Sequence, residues 1–339
     1  MLQKTQNKII KFVKKNLVKK NSETFTAVNL GNYFTKGIVV KKGQIVDYFI
    51  ETTKDFSEII EKLKVDRKTF PKKIRASLKS PACLVRYFPF PKTDRKKLKQ
   101  ALYYQLNKFI PYPPKEVYFD YTVLKEIDSS QNYILLAVAK KDYIDSILDS
   151  FKKKGILISE ITLDSISLIN LFLDRYPESK NLNCCILDIG HGFSTMNILE
   201  KGVPFFSREA KFSAKDIVEI ITRIKNLSQK EAGKVLFGLE KKDSLFALLE
   251  ENISDWCKEI KNSFDFFELN KGKNLDKLYL TGGLAAIPGI ADIFSENLEM
   301  DTEILQPDKA GSLNFSDDFP RKEYQGYKHN LAVSSGLAL

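Results

Sequence analysis

Apolar positions along this chain come in short runs whose spacing alternates between two and about three and a half residues. From Phe25, the stretches TFTAVNLG, FTKGIVVKKG and QIVDYFIETT are β-rich and broken by Gly31 and Gly43, the pattern of a meander. DFSEIIEKLKV then reads as an amphipathic helix and KKIRASLK as another strand. A helix is expected from about Asp94 to Phe109, with Thr93 or Asp94 as N-cap, stopped by Pro111, Pro113 and Pro114. EVYFDYTVL, YILLAVAKK and ILISEITLD are strands, with the helix DYIDSILDSFKKKG before the last of them, closing on Gly155. Past Pro177 a second strand series opens, NCCILDIGHG, FSTMNILEKG and VPFFSREAKF, and repeats the strand–turn order of residues 25–50. Helical patterning follows from Ala214 to Leu269. KLYLTGGLAAIPGIADIFSENL then gives a buried strand, a double-glycine turn and a helix starting near Ala285 or Pro288, and HNLAVSSGLAL ends the chain as an apolar helix.

Residues 1–22 differ from all of this. Ile9, Ile10, Val13, Leu17 and Val18 share one helical face, and Lys8, Lys11, Lys14, Lys15, Lys19 and Lys20 fall around the rest. Such a helix suits peripheral contact with an anionic membrane surface or local packing equally well. No apolar run approaches the roughly 20 residues that span a bilayer. No secretory leader is visible, so the chain reads as cytosolic.

Composition narrows the chemistry. With 339 residues, 43% of them hydrophobic, the chain is expected to form two lobes or several subdomains around sizeable cores. Cys83, Cys184, Cys185 and Cys257 contain no C-x-x-C pair and read as free thiols of a reducing compartment. With only two histidines, His191 and His329, the composition argues against a histidine-built zinc site. The net charge of +11 is spread along the chain rather than interleaved with aromatics in one block, which argues against a nucleic-acid partner.

Three glycine turns remain as candidate chemistry. VNLGNYFTKG, with Gly31, Asn32 and Lys36, follows the first strand. In ILDIGHGFST, Asp188 ends an apolar strand, Gly190, His191 and Gly192 make the turn, and Ser194 and Thr195 follow. A strand-terminal carboxylate can hold hydrated Mg²⁺ and glycine backbone can close on phosphate, although a lone D-x-G is also an ordinary hairpin. In LYLTGGLAAIPGI, Gly282 and Gly283 leave room for a flat base or ribose beside backbone, or serve the turn's dihedrals alone.

Taken in this order within a duplicated strand pattern, the three turns resemble the actin-like nucleotide-binding fold of sugar kinases and heat-shock chaperones. They would be its two phosphate loops and its adenosine loop, with ITLDSISLINLF (161–172) as connecting helix. RYFPFPKTDRKKLKQALYYQLNKFIPYPPKEVYFDYTVL, with Arg86, Pro89 and Pro91, is similar to the inserted subdomain of the PilM family of type IV pilus assembly proteins, relatives of FtsA. The resemblance covers about residues 24–339. It implies an α/β, actin-like (duplicated, ribonuclease H-like) two-lobe fold with an inserted α+β subdomain. Lobe 1 would comprise 24–80 and 160–180, with 328–339 packing back on it. The insert would be 81–159, and lobe 2 would be 181–327 with a helical subdomain at 214–269.

The same resemblance implies ATP and Mg²⁺ bound between two lobes. It also implies a cytosolic protein at the inner face of the inner membrane, docking the cytoplasmic tail of the membrane protein PilN in a groove beside the insert and linking motor ATPases to the membrane complex. Asn29, Gly31, Asn32, Lys36, Asp188, Gly190, His191, Gly192, Ser194, Gly282 and Gly283 would line the cofactor, with Asp188 reaching metal through water. Asp164 would orient metal-bound water, or simply cap its helix. Phe109, Ile110, Pro111, Tyr112 and Tyr118 would line the partner groove.

The departures from the family pattern concern chemistry. Asn29 stands where the first loop usually carries an acid, Tyr33 and Phe34 crowd the place of small hydroxyl residues, and Gly233 replaces a ribose-facing glutamate. The expectation is therefore a scaffold with weak or non-hydrolytic nucleotide binding. The alternative is an active Mg·ATPase that switches lobe closure.

Overall fold

The computed structural model describes residues 24–31, 33–52, 58–59, 73–238 and 243–339, so the basic segment 1–22, Asn32 and most of DFSEIIEKLKV lie outside the described residues. Two compact units emerge. The first joins the described residues of 24–171 with 310–320 and 333–339; the second joins those of 172–309 with 321–332.

In the first unit, strands β1 (Phe25–Leu30), β2 (Thr35–Lys41) and β3 (Gln44–Glu51) form the expected meander. β4 (Lys73–Leu78) pairs parallel with β1, and β8 (Leu157–Leu163) pairs parallel with β4. With β14 (Asn314–Phe315) beside β3, the sheet order is β14-β3-β2-β1-β4-β8. β1 is interior to this sheet and every one of its residues is buried, which is why it reads as a continuous apolar run rather than an alternating one.

Between β4 and β8 stands the insert. It is a three-stranded sheet of order β5-β7-β6, built from β5 (Cys83–Pro91), β6 (Val117–Glu126) and β7 (Gln131–Lys140). Pro89 and Pro91 are tolerated because β5 is an edge strand with no second ladder to serve. Helix α1 (Arg95–Gln105) packs Leu98 and Leu102 on Phe90 and Ile134, one face of that sheet. Helix α2 (Lys141–Lys153) puts Ile144, Ile147 and Phe151 on the other, against Val85, Leu135 and Ala137. Asp94 is the N-cap of α1, taking the Lys96 N–H at 3.0 Å. The helix is shorter than its pattern predicts, because a 3₁₀ turn over Leu106–Lys108 replaces its last turn ahead of the prolines.

Helix α3 (Asp164–Arg175) follows β8. The second unit carries β9 (Asn183–Ile189), β10 (Ser194–Glu200) and β11 (Val203–Ala210), then helices α4 (Ala214–Lys225), α5 (Gln229–Phe237) and α6 (Ser244–Lys271). β12 (Lys277–Gly282), helix α7 (Ile290–Leu298) and β13 (Thr302–Ile304) complete the order β11-β10-β9-β12-β13. As β4 does with β1, β12 lies parallel to the first strand of its meander, β9. Its core runs from Cys185 and Leu187 on β9 to Trp256 and Ile260 on α6 and Phe294 on α7.

The unit boundaries differ from the expected 180/181 division. Phe172 and Tyr176 at the end of α3 belong with the second unit, where they pack on Tyr279 with ring centroids 4.7 and 4.9 Å away. Residues 310–320 join the first unit because β14 (Asn314–Phe315) extends its sheet beside β3. After α8 (Arg321–Gln325), helix α9 (Ala332–Ala338) lies so close to α3 that a Cβ at Gly336 would collide with the Ser167 carbonyl. Among the described residues, no helix is long and apolar enough to cross a membrane.

Candidate functional site

β1, β4 and β8 run parallel, so their carboxyl ends gather at one edge of the first sheet, the end at which ligands meet open α/β sheets. Asn29 lies near the end of β1, Ser77 is its neighbour on β4, and Asp164 opens α3 directly after β8. All three are buried. Asn29 Nδ2 donates to Asp164 Oδ2 at 2.8 Å and to Ser77 Oγ at 3.1 Å. Both hydrogens of that amide are thus engaged, and a neutral donor faces the carboxylate. Ser77 is the residue of this site that sequence reasoning missed; its one signal was a hydroxyl between Ala76 and Leu78 in the buried half of β4.

A Cβ at Gly31 would stand 2.6 Å from the Phe34 carbonyl oxygen, so the glycine serves its own loop. The Tyr33 ring meets the Phe34 ring edge-on at 4.7 Å, with Tyr33 exposed and Phe34 half-buried. Lys36 is half-buried and its carbonyl accepts from Ser334 Oγ at 3.2 Å. Burial, then the charges of Cys83 and Asp164, push the Tyr143 hydroxyl on α2 up to about 12 against an opposing bond from Ser80.

In the second unit, Asp188 on β9 is half-buried beside Thr281 on β12. Gly282 holds φ of +89°, and a Cβ there would strike the Ile189 carbonyl and come within 2.6 Å of Asp188 Oδ1. Gly283 begins a 3₁₀ turn to Ala286, and the α-helix proper starts only at Ile290 behind a left-handed Gly289. That is later than the pattern predicts, because Ile287 and Pro288 are held outside the helix by that turn. Thr281 Oγ1 donates to the His329 carbonyl at 3.2 Å, and His329 Nδ1 pairs with Leu305 O at 3.1 Å.

The glycine turn after β9 is tied to α4. The carbonyls of Gly190 and His191 accept from the N–H groups of Ala214 and Lys215, each at 3.0 Å, and Asp216 N–H bonds Ser213 O at 3.2 Å. Asp216 also takes the Ser213 N–H at 2.6 Å. The first N–H groups of this helix therefore meet protein, and a carboxylate stands where an anion would approach. Burial lowers the His191 pKa, with Lys215 adding to it against Asp216 and Glu219. Ser194 is buried and its hydroxyl donates to Phe212 O at 2.8 Å, whereas Gly192 is exposed. Burial pushes the Cys184 and Cys257 thiols up to about 12, which leaves them inert.

On the insert, Phe109 stacks on Phe88 with centroids 3.7 Å apart, Ile110 is buried and Pro111 is exposed. Tyr112 is half-buried, with its hydroxyl on Pro81 O at 3.1 Å and Lys140 Nζ 4.7 Å from its ring. Tyr118 donates to Asp145 Oδ1 at 3.0 Å, with Lys141 Nζ 5.6 Å from its ring. Burial, then that bond to Asp145, raises its pKa. Among the described residues, predicted site residues come together as Asn29 with Asp164, Asp188 with Gly282, and the 109–118 aromatics, while Gly190 and His191 bond the start of α4, Ser194 bonds Phe212 and Lys36 accepts from Ser334.

Comparison with known proteins places these features in context. The family described as type IV pilus assembly protein PilM matches residues 10–339. A solved PilM–PilN type IV pilus biogenesis complex is 19% identical, covering 94% of this chain and 98% of the other with a TM-score of 0.82. The ethanolamine utilization protein EutJ of Carboxydothermus hydrogenoformans is 11% identical over 96% and 91% of the two chains, with a TM-score of 0.56. MreB 5 of Spiroplasma citri, bound to AMPPNP, is 11% identical over 93% and 95%, with a TM-score of 0.53. The fold is actin-like.

Proposed function

The chain belongs to the type IV pilus assembly protein PilM family, and from that premise we propose that it acts as a docking scaffold of pilus assembly and not as an efficient ATPase. The observation that carries the reading is the bond from Asn29 to Asp164. Metal-assisted hydrolysis needs carboxylates available to place an ion and orient water. Here an uncharged amide holds one oxygen of Asp164, and the start of α4 faces its own Asp216 rather than open space. These residues do not fit a hydrolytic Mg·ATP centre, and no reaction step is routed through one. Weak nucleotide contact at the Gly282 turn is compatible with the scaffold role.

The partner is an extended tail of a PilN-like membrane protein, docked beside Phe109, Ile110, Pro111, Tyr112 and Tyr118. What supports this is the combination of half-buried rings with pinned hydroxyls and the adjacent β6, an edge strand with a ladder open to pairing. Such a tail would hold the chain at the inner face of the inner membrane, within reach of the motor ATPases.

Calorimetry with Mg·ATP and a phosphate-release assay on purified protein test the first half. Little heat and no turnover are expected; turnover that disappears in Asp188→Ala would overturn the scaffold reading. A synthetic PilN-like tail should bind and lose roughly tenfold in affinity in Tyr118→Ala. Unchanged binding would move the docking site elsewhere.

A further inference from the structure

α1 is the outer layer of the insert, on the face of its sheet opposite α2. Its buried stripe of Leu98 and Leu102 leaves Lys96, Lys97, Gln100, Tyr103 and Tyr104 turned outward, with Lys108 in the 3₁₀ turn beyond. Tyr103 is 40% exposed and Tyr104 73%, and the helix contains no acidic residue. The chain passes straight from this helix into the Phe109–Tyr118 stretch.

We propose that the outward face of α1 is a lipid-contact surface, lying on the headgroups of an anionic bilayer. The inference rests on the docking reading above: a tail rooted in the membrane and seated at 109–118 would hold the adjoining helix near the same leaflet. The chemistry matches that environment. Lysine stems reach along a surface with their ammonium groups in water, and tyrosine rings settle at the headgroup level with their hydroxyls wet. Each cation near an anionic leaflet adds attraction that salt weakens. An acidic protein would also be drawn to the lysines. A convex helix face with one strongly exposed ring, Tyr104, and a second, Tyr103, that stacks on Phe119 at 6.3 Å yet keeps 40% exposure suits a deformable headgroup layer better than a rigid partner, which would need a pocket shaped to both.

The test uses the full-length protein and sedimentation with vesicles, either phosphatidylcholine alone or phosphatidylcholine with phosphatidylglycerol. Binding is expected to the anionic vesicles only and to fall with salt. Lys96→Glu/Lys97→Glu/Lys108→Glu should lower that affinity about a hundredfold, and Tyr103→Ser/Tyr104→Ser about tenfold. The three lysines and Tyr104 are exposed, so thermal melting should not move in the lysine variant, and one that melts early is replaced by the matching glutamine series; Tyr103 also stacks on Phe119, so a tyrosine variant that melts early is replaced by Tyr104→Ser alone. Because residues 1–22 are also basic, Lys8→Gln/Lys11→Gln/Lys15→Gln is the comparison, and it should leave the α1 effect intact. Vesicle binding unchanged by the α1 variants, or lost only in the N-terminal variant, overturns the proposal. So does wild-type protein that ignores vesicles yet binds polyglutamate through the same lysines. Affinity for the PilN-like tail peptide in solution should be equal in wild type and α1 variant. A tail that fails to bind wild type sinks the docking reading separately.

Discussion

In the first unit, β2 turns into β3 through Lys42 and Gly43, with φ of 49° and 77° and a register shift at Val39/Val40. In the second, β10 turns into β11 through Lys201 and Gly202, with φ of 48° and 75° and the shift at Ile198/Leu199. Such two-residue left-handed turns match the twist of the strands they join, which accounts for the same frame appearing twice. Counting back equally from each turn sets Asn29 against Asp188 and Gly31 against Gly190. The frame is repeated, and the residue that ends its first strand is not. In the first unit α3 brings Asp164 against that position, so a neutral amide is the compatible partner. In the second, the position keeps its acid and a glycine is pressed against it. The lesson is that the identity of a loop residue here follows from which carboxylate the fold delivers to it.

The comparison can be broken most forcefully at the two glycines. Gly282→Ala adds a Cβ that meets a carbonyl and a carboxylate at a backbone φ of +89°. It should cost about 3–5 kcal/mol in denaturant unfolding. Gly31→Ala meets one carbonyl at the far side of a short loop and carries no positive φ, so about 1–2 kcal/mol is expected. Equal losses would mean that the Gly282 turn is no tighter than the Gly31 turn.

Asn29→Asp tests the amide directly. It would set two carboxylates about 2.8 Å apart in a buried site, where both cannot stay ionised. A loss of about 2–3 kcal/mol at neutral pH is expected. One carboxyl of the pair would then titrate above its unfolded value. Its contribution to stability would be full below pH ~4 and lost as pH rises through the raised value, so the gap to the native chain should close on acidification. Mg²⁺ that narrows the gap at neutral pH would show the acid pair holding an ion. A variant as stable as the native protein at neutral pH would show that Asn29 is not what keeps Asp164 in place.

How much of this was legible beforehand depended on how locally each feature is encoded. Strand runs and the Gly43 turn are written in spacing and punctuation, and the structure has them, whereas the regular helix ahead of Pro111 and Pro113 ends early, at Gln105. The N-cap left open between Thr93 and Asp94 needed the actual bond to Lys96 N–H. Likewise the end of α1 and the start of α7 were displaced by 3₁₀ turns, which periodicity does not register. The pairing of Asn29 with Asp164 joins residues 135 apart, and no local pattern could show that these two loops meet. Even the reading of Asn29 as a lost acid saw half of the matter, because the partner that makes the amide useful sits across the insert in sequence. The cap on α4 was more accessible, since Ser213 followed by Asp216 is a recognisable start signal.

The smallest expected effect lies at the hairpin ends, where the two units differ again. The position before the second turn is Glu200, 15% exposed, with Oε2 2.8 Å from Lys271 Nζ and Oε1 3.0 Å from Lys273 Nζ. Its counterpart in the first unit is Lys41. Burial alone would raise the Glu200 carboxyl, but the bonds and charges of Lys271 and Lys273 outweigh it and hold the pKa at about 2. A depressed carboxyl contributes stability above its unfolded value, and that contribution disappears as pH falls from about 4.5 towards 2. Glu200→Gln should therefore cost roughly 1–2 kcal/mol at neutral pH after allowing for the half-exposed Lys273, and should match the native chain near pH 2. Lys41→Gln, at the equivalent turn, should show no such slope. A Glu200→Gln penalty that stays constant across this range would mean that the side chain's packing, and not its charge, closes the second hairpin; the two turns would then differ in shape alone.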